Sequence, residues 1–348
     1  MPPATTAVRI KLMKSTTRIE IDPKSLLFTI GILIILFVAW QIRGVLIALF
    51  VAFILMSGFA PLVDRLTSRG VPKTLSVALT YLLAIGFLAT LLFFVIPPMI
   101  VQTSEFVSKL PSYINDFSSI VRTVDTDASR VFTVENVANI LASRVEGALS
   151  NLLAVVLNAF SLVLSFITVA VFSFYLLLER EKIKKILPKF FSNIPKHRIE
   201  SLVERMEVKL GAWLRGEALL MLIIGVATYI GLTILGVDYA LPLAVIAGLL
   251  ELVPTIGPII SSIPAIIIAF VQGPILAIAV ASLYVLIQQA ENNIIVPKVM
   301  ERAVGLSPLV VIFSLLVGGT LFGIVGAILA VPAAAIIHVI AEEFLEDS

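Results

Sequence analysis

Between Asp238 and Arg302 a strongly apolar stretch carries Glu251, Gln288, Gln289, Glu291, Asn292 and Asn293. Carboxylates and amides at membrane depth cost free energy, so they mark places where a membrane protein binds or moves something. Glu251 stands one turn before Pro254-Thr255-Ile256-Gly257-Pro258, and Ser261 and Ser262 follow one turn later. Unwound backbone at such a break frees carbonyls and amides that can hold ions or polar solutes at half-helix ends. Gln288, Glu291 and Asn292 share one helical face through their i, i+3, i+4 spacing. That chemistry is binding and proton exchange. Each feature also has a plainer explanation: a packing kink at 254–258, a carboxylate reaching water from a hairpin tip at Glu251, and an interfacial helix end at 288–293.

The elements that must position these residues are membrane helices. Of 348 residues 59% are hydrophobic and 14% charged, with mean hydropathy +1.09, against roughly 25% charged in ordinary soluble domains. A net charge of +2 argues against a nucleic-acid partner. The absence of cysteine excludes disulfides, thiol catalysis and cysteine-held metals. His197 and His338 make no metal-ligand spacing. There is no G-x-x-x-x-G-K-[ST] phosphate loop, no HExxH and no Ser/His/Asp signature, so no enzyme, cofactor or metal is predicted.

Taken in order, residues 1–24 read as a basic cytoplasmic tail without a cleavable leader. Residues 25–98 read as three spans, the first two (Leu26–Trp40 and Val45–Ala60) forming a hairpin over 41–44 and the third ended by Pro97-Pro98. Residues 99–150 hold four basic and six acidic residues in helical periodicity and read as a small extracellular helical insert. Span four covers 151–178. Residues 179–210, with nine Lys/Arg against five acids, read as basic cytoplasmic amphipathic helices before span five at 211–237. The basic segments all fall on one side, which the positive-inside rule makes cytoplasmic. An acidic tail, 342–348, lies on the same side.

Residues 238–341 form a core with two broken hairpins. Leu241–Val253 is 13 residues, about 20 Å of helix against a hydrocarbon core of about 30 Å. Ile259–Val271 is equally short, so the pair reads as a re-entrant hairpin around 254–258, with one broken span, which would place 298–302 outside, as the alternative. Pro308-Leu309-x-Val311-Ile312-x-x-Leu315-Leu316 repeats Pro242-Leu243-x-Val245-Ile246-x-x-Leu249-Leu250 at an offset of 66. Gly257 and Gly323 keep that offset, which places a second apex at Thr320-Leu321-Phe322-Gly323. One crossing separates the copies, so the two hairpins are inverted, as transporter repeats often are. The candidate substrate- or ion-binding residues are therefore Glu251, Pro254, Thr255, Gly257, Pro258, Ser261, Gln288, Glu291, Asn292, Thr320 and Gly323.

The segments E-L-V-P-T-I-G-P-I-I-S-S-I-P-A (251–265), Q-Q-A-E-N-N-I-I-V-P-K-V-M (288–300) and V-G-L-S-P-L-V-V-I (304–312), in this order, resemble the autoinducer-2 exporter (AI-2E) family. The resemblance implies an all-α polytopic membrane protein with about eight membrane segments, both termini cytoplasmic, and a homo-oligomer, plausibly a pentamer, in the cell membrane. It implies a transporter working by alternating access. Its cargo would be exported autoinducer-2 or a similar small polar solute, with sodium or lithium/proton antiport as the alternative. A channel or a non-transporting membrane scaffold is the competing class.

Overall fold

A chain that enters lipid must satisfy its own backbone polar groups, and long runs of Leu, Ile, Val and Phe do so as helix. The computed structural model describes residues 23–123, 165–191, 194–254, 256–300 and 305–345, and among these there is no strand. Helices follow one another as α1 (Pro23–Gln41), α2 (Arg43–Ser68), α3 (Lys73–Thr123), α4 (165–186), α5 (Lys196–Ile234), α6 (Ala240–Leu250), α7 (Ile256–Gln272), α8 (Pro274–Ala290), α9 (Val296–Met300) and α10 (Pro308–Leu345). A 3₁₀ turn, Leu187–Phe190, follows α4, and a π-helical turn, Glu291–Ile295, joins α8 to α9. Among the described residues five stretches are long and apolar enough by length and composition to cross a membrane: Arg43–Ser68, Lys73–Pro98, Lys196–Ile234, Pro274–Val299 and Pro308–Glu343, the last broken at Phe322 and Gly323. Helices α6 and α7 are apolar but shorter. The protein is an all-α polytopic membrane protein.

The chain divides into two units, Met1–Ala48 and Leu49–Ser348. In the first, only Ile42 separates α1 from α2. Its amide donates to the Val38 carbonyl (2.9 Å) and its carbonyl accepts from Leu46 (3.1 Å), while Arg43 lies over the Trp40 ring at 4.4 Å. The backbone runs on as helix here, and the reversal expected at 41–44 is not formed. A tight reversal needs residues free of i→i−4 bonding, and these bonds are intact.

In the second unit α5 is the spine, packing on α6, α8, α9 and α10. One expected helix end is absent. Helix α3 continues through Pro97-Pro98 to Thr123, because proline's fixed φ is compatible with a helix. Helix α5 runs unbroken from the basic segment into the expected fifth span, since no proline lies between Lys196 and Ile234. The parts of the expected insert and fourth span within 124–164, the tail 1–22, and residues 301–304 lie outside the described residues.

Close helix contact is set by glycine. A Cβ on Gly211 would fall 2.3 Å from the Ser57 carbonyl oxygen, so α5 and α2 touch backbone to backbone. A Cβ on Gly248 would fall 2.8 Å from the Met221 carbonyl oxygen, and one on Gly225 3.5 Å from that of Ala244. Helices α5 and α6 are thus antiparallel in a fixed register, 221 beside 248 and 225 beside 244.

Candidate functional site

The α5–α6 register decides what lies at the inner end of α6. Four residues back along α5 from Met221 is Glu217, and three residues on from Gly248 is Glu251, so the two meet at one level. Helix α8 brings a third carboxylate, Glu291, at its C-terminal end. Glu217, Glu251 and Glu291 are 3%, 2% and 4% exposed. Glu251 and Glu291 interact with each other, and both interact electrostatically with Glu217. Gln288 lies one turn before Glu291 on the same helix. One carboxylate oxygen of each glutamate is buried without a hydrogen-bond partner. None of the three has an ion-pair partner among the described residues.

Like charges brought close together in a dry setting repel strongly, so three buried carboxyls side by side are an unusual grouping. Among the described residues no three acidic or histidine side chains form a metal cage.

Local sequence explains how the pieces are held. Helix α6 ends because Pro254 has no amide to donate. The chain turns through Val253 N–H to Leu250 O (3.0 Å), Ile256 N–H to Pro254 O (2.8 Å) and Gly257 N–H to Val253 O (2.9 Å). A Cβ on Gly257 would lie 1.9 Å from the Leu250 carbonyl oxygen, so only glycine lets α7 start against the end of α6. Pro254 and Pro258 are half-buried in this turn, and Thr255 lies outside the described residues. Ser261 is buried, but its hydroxyl donates back to the Pro258 carbonyl (3.0 Å). The π turn at Glu291–Ile295 precedes Pro297, whose ring would collide with the carbonyl four residues back. One extra residue in the turn relieves that clash and re-aims Glu291.

Asn292 and Asn293 are exposed, with Asn292 Oδ1 3.4 Å from Gln288 Nε2 and Asn293 Nδ2 donating to the Gln289 carbonyl (2.8 Å) and Oε1 (2.9 Å). Thr320 and Gly323 are not brought to the cluster. They are exposed at the tip of a second hairpin within α10, and the Thr320 hydroxyl donates to Val317 O (2.9 Å). The turn is at Phe322 (φ −133°) and Gly323 (φ 62°), a left-handed value that favours glycine. The arms then lie so close that a Cβ on Gly326 would be 2.0 Å from Gly318 O.

A second carboxylate site occupies the other end of α5. Glu207, 4% exposed, takes Arg180 (2.8 Å) and Lys184 (3.0 Å) on one oxygen, and Arg180 also reaches Asp64 at 3.0 Å. Nearby, Arg198 and Arg205 hold Glu343 at 2.7 and 2.9 Å, Arg205 holds Glu342 at 2.8 Å, and His338 lies 3.3 Å from Glu342. These cations of the basic segment are thus spent on internal ion pairs more than on lipid.

The family model for AI-2E family transporters matches residues 28–346. The chain belongs to the AI-2E transporter family. It is 27% identical to the AI-2 transport protein TqsA of Escherichia coli (strain K12) over 337 residues, covering 93% of this chain and 94% of that one. It is also similar to two Bacillus subtilis (strain 168) proteins, each named "Putative transport protein". YueF is 31% identical over 302 residues (82% and 80% covered), and YrrI 28% over 309 residues (86% and 85%). Membership makes the protein a multi-pass membrane transporter. Among its buried residues, sequence reasoning pointed to Glu251, Ser261 and Glu291 but missed Glu217. Glu217 follows Arg215 at the start of an apolar run and resembles an interfacial charge. Spacing along α5 alone gives no sign of it, because the carboxyls that face it come from other elements.

Proposed function

We propose that this transporter is proton-coupled, with Glu217, Glu251 and Glu291 as the coupling site. The observation that carries the reading is three buried carboxylates, from three separate elements, facing one another with no cation paired to them among the described residues. Burying unpaired acids is expensive, and a structural role gives no reason to retain three. One shared proton stabilises the cluster, and a transported species that replaces the proton does the same. Exchange between the two, with access to one side at a time, is alternating-access transport. The α6–α7 hairpin, held to α5 by backbone contact at glycine, is the element whose displacement along α5 would carry Glu251 between the sides in an elevator-like step. Basic segments on the cytoplasmic face, both termini inside, a cell-membrane location and homo-oligomeric assembly complete the reading.

The cluster favours sodium or lithium/proton antiport, because carboxylates attract cations. The name of TqsA favours export of autoinducer-2 or a related small polar solute, with the proton as its driving ion. Proteoliposomes separate the two. Under an imposed pH gradient the wild type should move one of sodium, lithium or autoinducer-2, and Glu251→Gln or Glu291→Gln should abolish that pH-driven flux. Flux that persists in both variants removes carboxylate coupling. A stable protein with no flux for any of the three supports a scaffold.

A further inference from the structure

The carboxylate cluster needs a route to water on each side, and its three acids are buried in this structure. Buried polar groups without partners are rare in folded proteins and call for an explanation such as water or ligand in another state. Among the described residues six side chains have such an atom: Gln102, Glu217, Thr228, Glu251, Tyr284 and Glu291. Five of the six lie on α5, the α6 end and α8. Three are the cluster. The other two, the Thr228 and Tyr284 hydroxyls, belong to residues 0% and 8% exposed.

These two share a seam. A Cβ on Gly231 of α5 would fall 2.6 Å from the Leu283 methyl groups of α8, and Glu217 of α5 interacts with Glu291 of α8. The helices therefore run antiparallel, with 217 towards 291 at one end and 231 beside 283 at the other. Thr228 is 11 residues from Glu217 and Tyr284 seven from Glu291. At 3.6 residues per turn each hydroxyl falls on nearly the same helix face as its carboxylate, about 16 Å and 10 Å along the axis. Both displacements point the same way, towards the turn at 235–239. Leu232 and Val280, each 0% exposed, pack there with Tyr284 and keep the seam dry.

We propose that the α5–α8 seam, past Thr228 and Tyr284, is the route between the carboxylate cluster and the face at the 235–239 turn. It opens in the alternate state, and its two hydroxyls then hydrogen-bond the water or solute in transit. This rests on the proton-coupled reading above. The orientation proposed there makes that face the external one. Hydroxyls with no partner in the closed state give up no protein hydrogen bond when the seam parts, which keeps both states accessible.

The cysteine-free chain allows a direct test in oriented proteoliposomes. Thr228→Cys, close in volume to the native residue, is exposed to a membrane-impermeant thiol reagent from each side in turn. Ala269→Cys, at a 0% exposed site on α7, is the control. During turnover Thr228→Cys should react from the 235–239 side at least about tenfold faster than the control, since thiol reactivity follows exposure. Thr228→Val and Tyr284→Phe should keep or raise thermal stability, because each removes an unpartnered hydroxyl. Each should slow flux by about two- to tenfold, the range of one ordinary hydrogen bond. Labelling no faster than Ala269→Cys, or labelling from the opposite side only, overturns the route. Undiminished flux in both hydroxyl-free variants does so as well. Because wild-type flux and its dependence on Glu251 and Glu291 are measured in the same vesicles, a failed route with intact proton coupling is distinguishable from a failed coupling site.

Discussion

Glu207 and Glu217 lie ten residues apart on one helix and are buried to the same degree, 4% and 3% exposed. Their surroundings are opposite. Glu207 receives Arg180 and Lys184 from α4, so its charge is matched and α4 is bound to α5. Glu217 receives two more carboxyls. Burial alone therefore does not identify a working acid; the sign of what faces it does. The paired site holds helices together, and the unpaired one is the site proposed to exchange a proton.

Breaking the paired site should have the largest effect on stability. Glu207→Ala leaves Arg180 and Lys184 without their buried acceptor and should cost about 3–5 kcal/mol, read as a lower unfolding midpoint in detergent. Its remaining folded fraction should keep the wild-type pH dependence of flux. Glu217→Gln should do the reverse. Removing an uncompensated buried acid should leave the midpoint unchanged or raised, while the dependence of flux on pH is altered. Were Glu217→Gln to unfold the protein as Glu207→Ala does, the distinction between the two sites would collapse.

Smaller effects sharpen the contrast. Glu343 bridges Arg198 and Arg205, but these side chains are 13% to 37% exposed. Glu343→Gln should cost about 1 kcal/mol, and high salt should shrink the difference from wild type. Asp64 also contacts Arg180 but is 62% exposed, so Asp64→Asn should cost less than about 0.5 kcal/mol in the same unfolding measurement. A graded series from Glu207 through Glu343 to Asp64 is what burial predicts for matched charges.

Much of this architecture was legible in the amino-acid order. The half-length helices around Pro254 and the second apex at Gly323 follow from proline, glycine and a 66-residue offset, and both turns are present. Glu251 and Glu291 stood out because lipid has no use for carboxylates. Helix ends were less legible: Pro97-Pro98 looks like a stop, yet the backbone passes through it as helix. Ile42 looks like the middle of a turn and is helical. The site itself was hidden in part because its third acid depends on register. Only the contact of Gly225 and Gly248 shows that Glu217 stands beside Glu251, and spacing along one helix carries no information about its partner. The 318–323 apex, grouped with the first by its sequence pattern, is exposed at Thr320 and Gly323, whereas the acids are buried.

The central claim is that protons leave the cluster when the transported species arrives. Calorimetric titration of the purified protein with sodium, lithium and autoinducer-2, each in two buffers of different ionisation enthalpy, counts the protons exchanged on binding. The account predicts a buffer-dependent heat for the species that binds, lost in the Glu251→Gln, Glu291→Gln double variant. Binding with the same heat in both buffers, or proton release undiminished in the double variant, would contradict it.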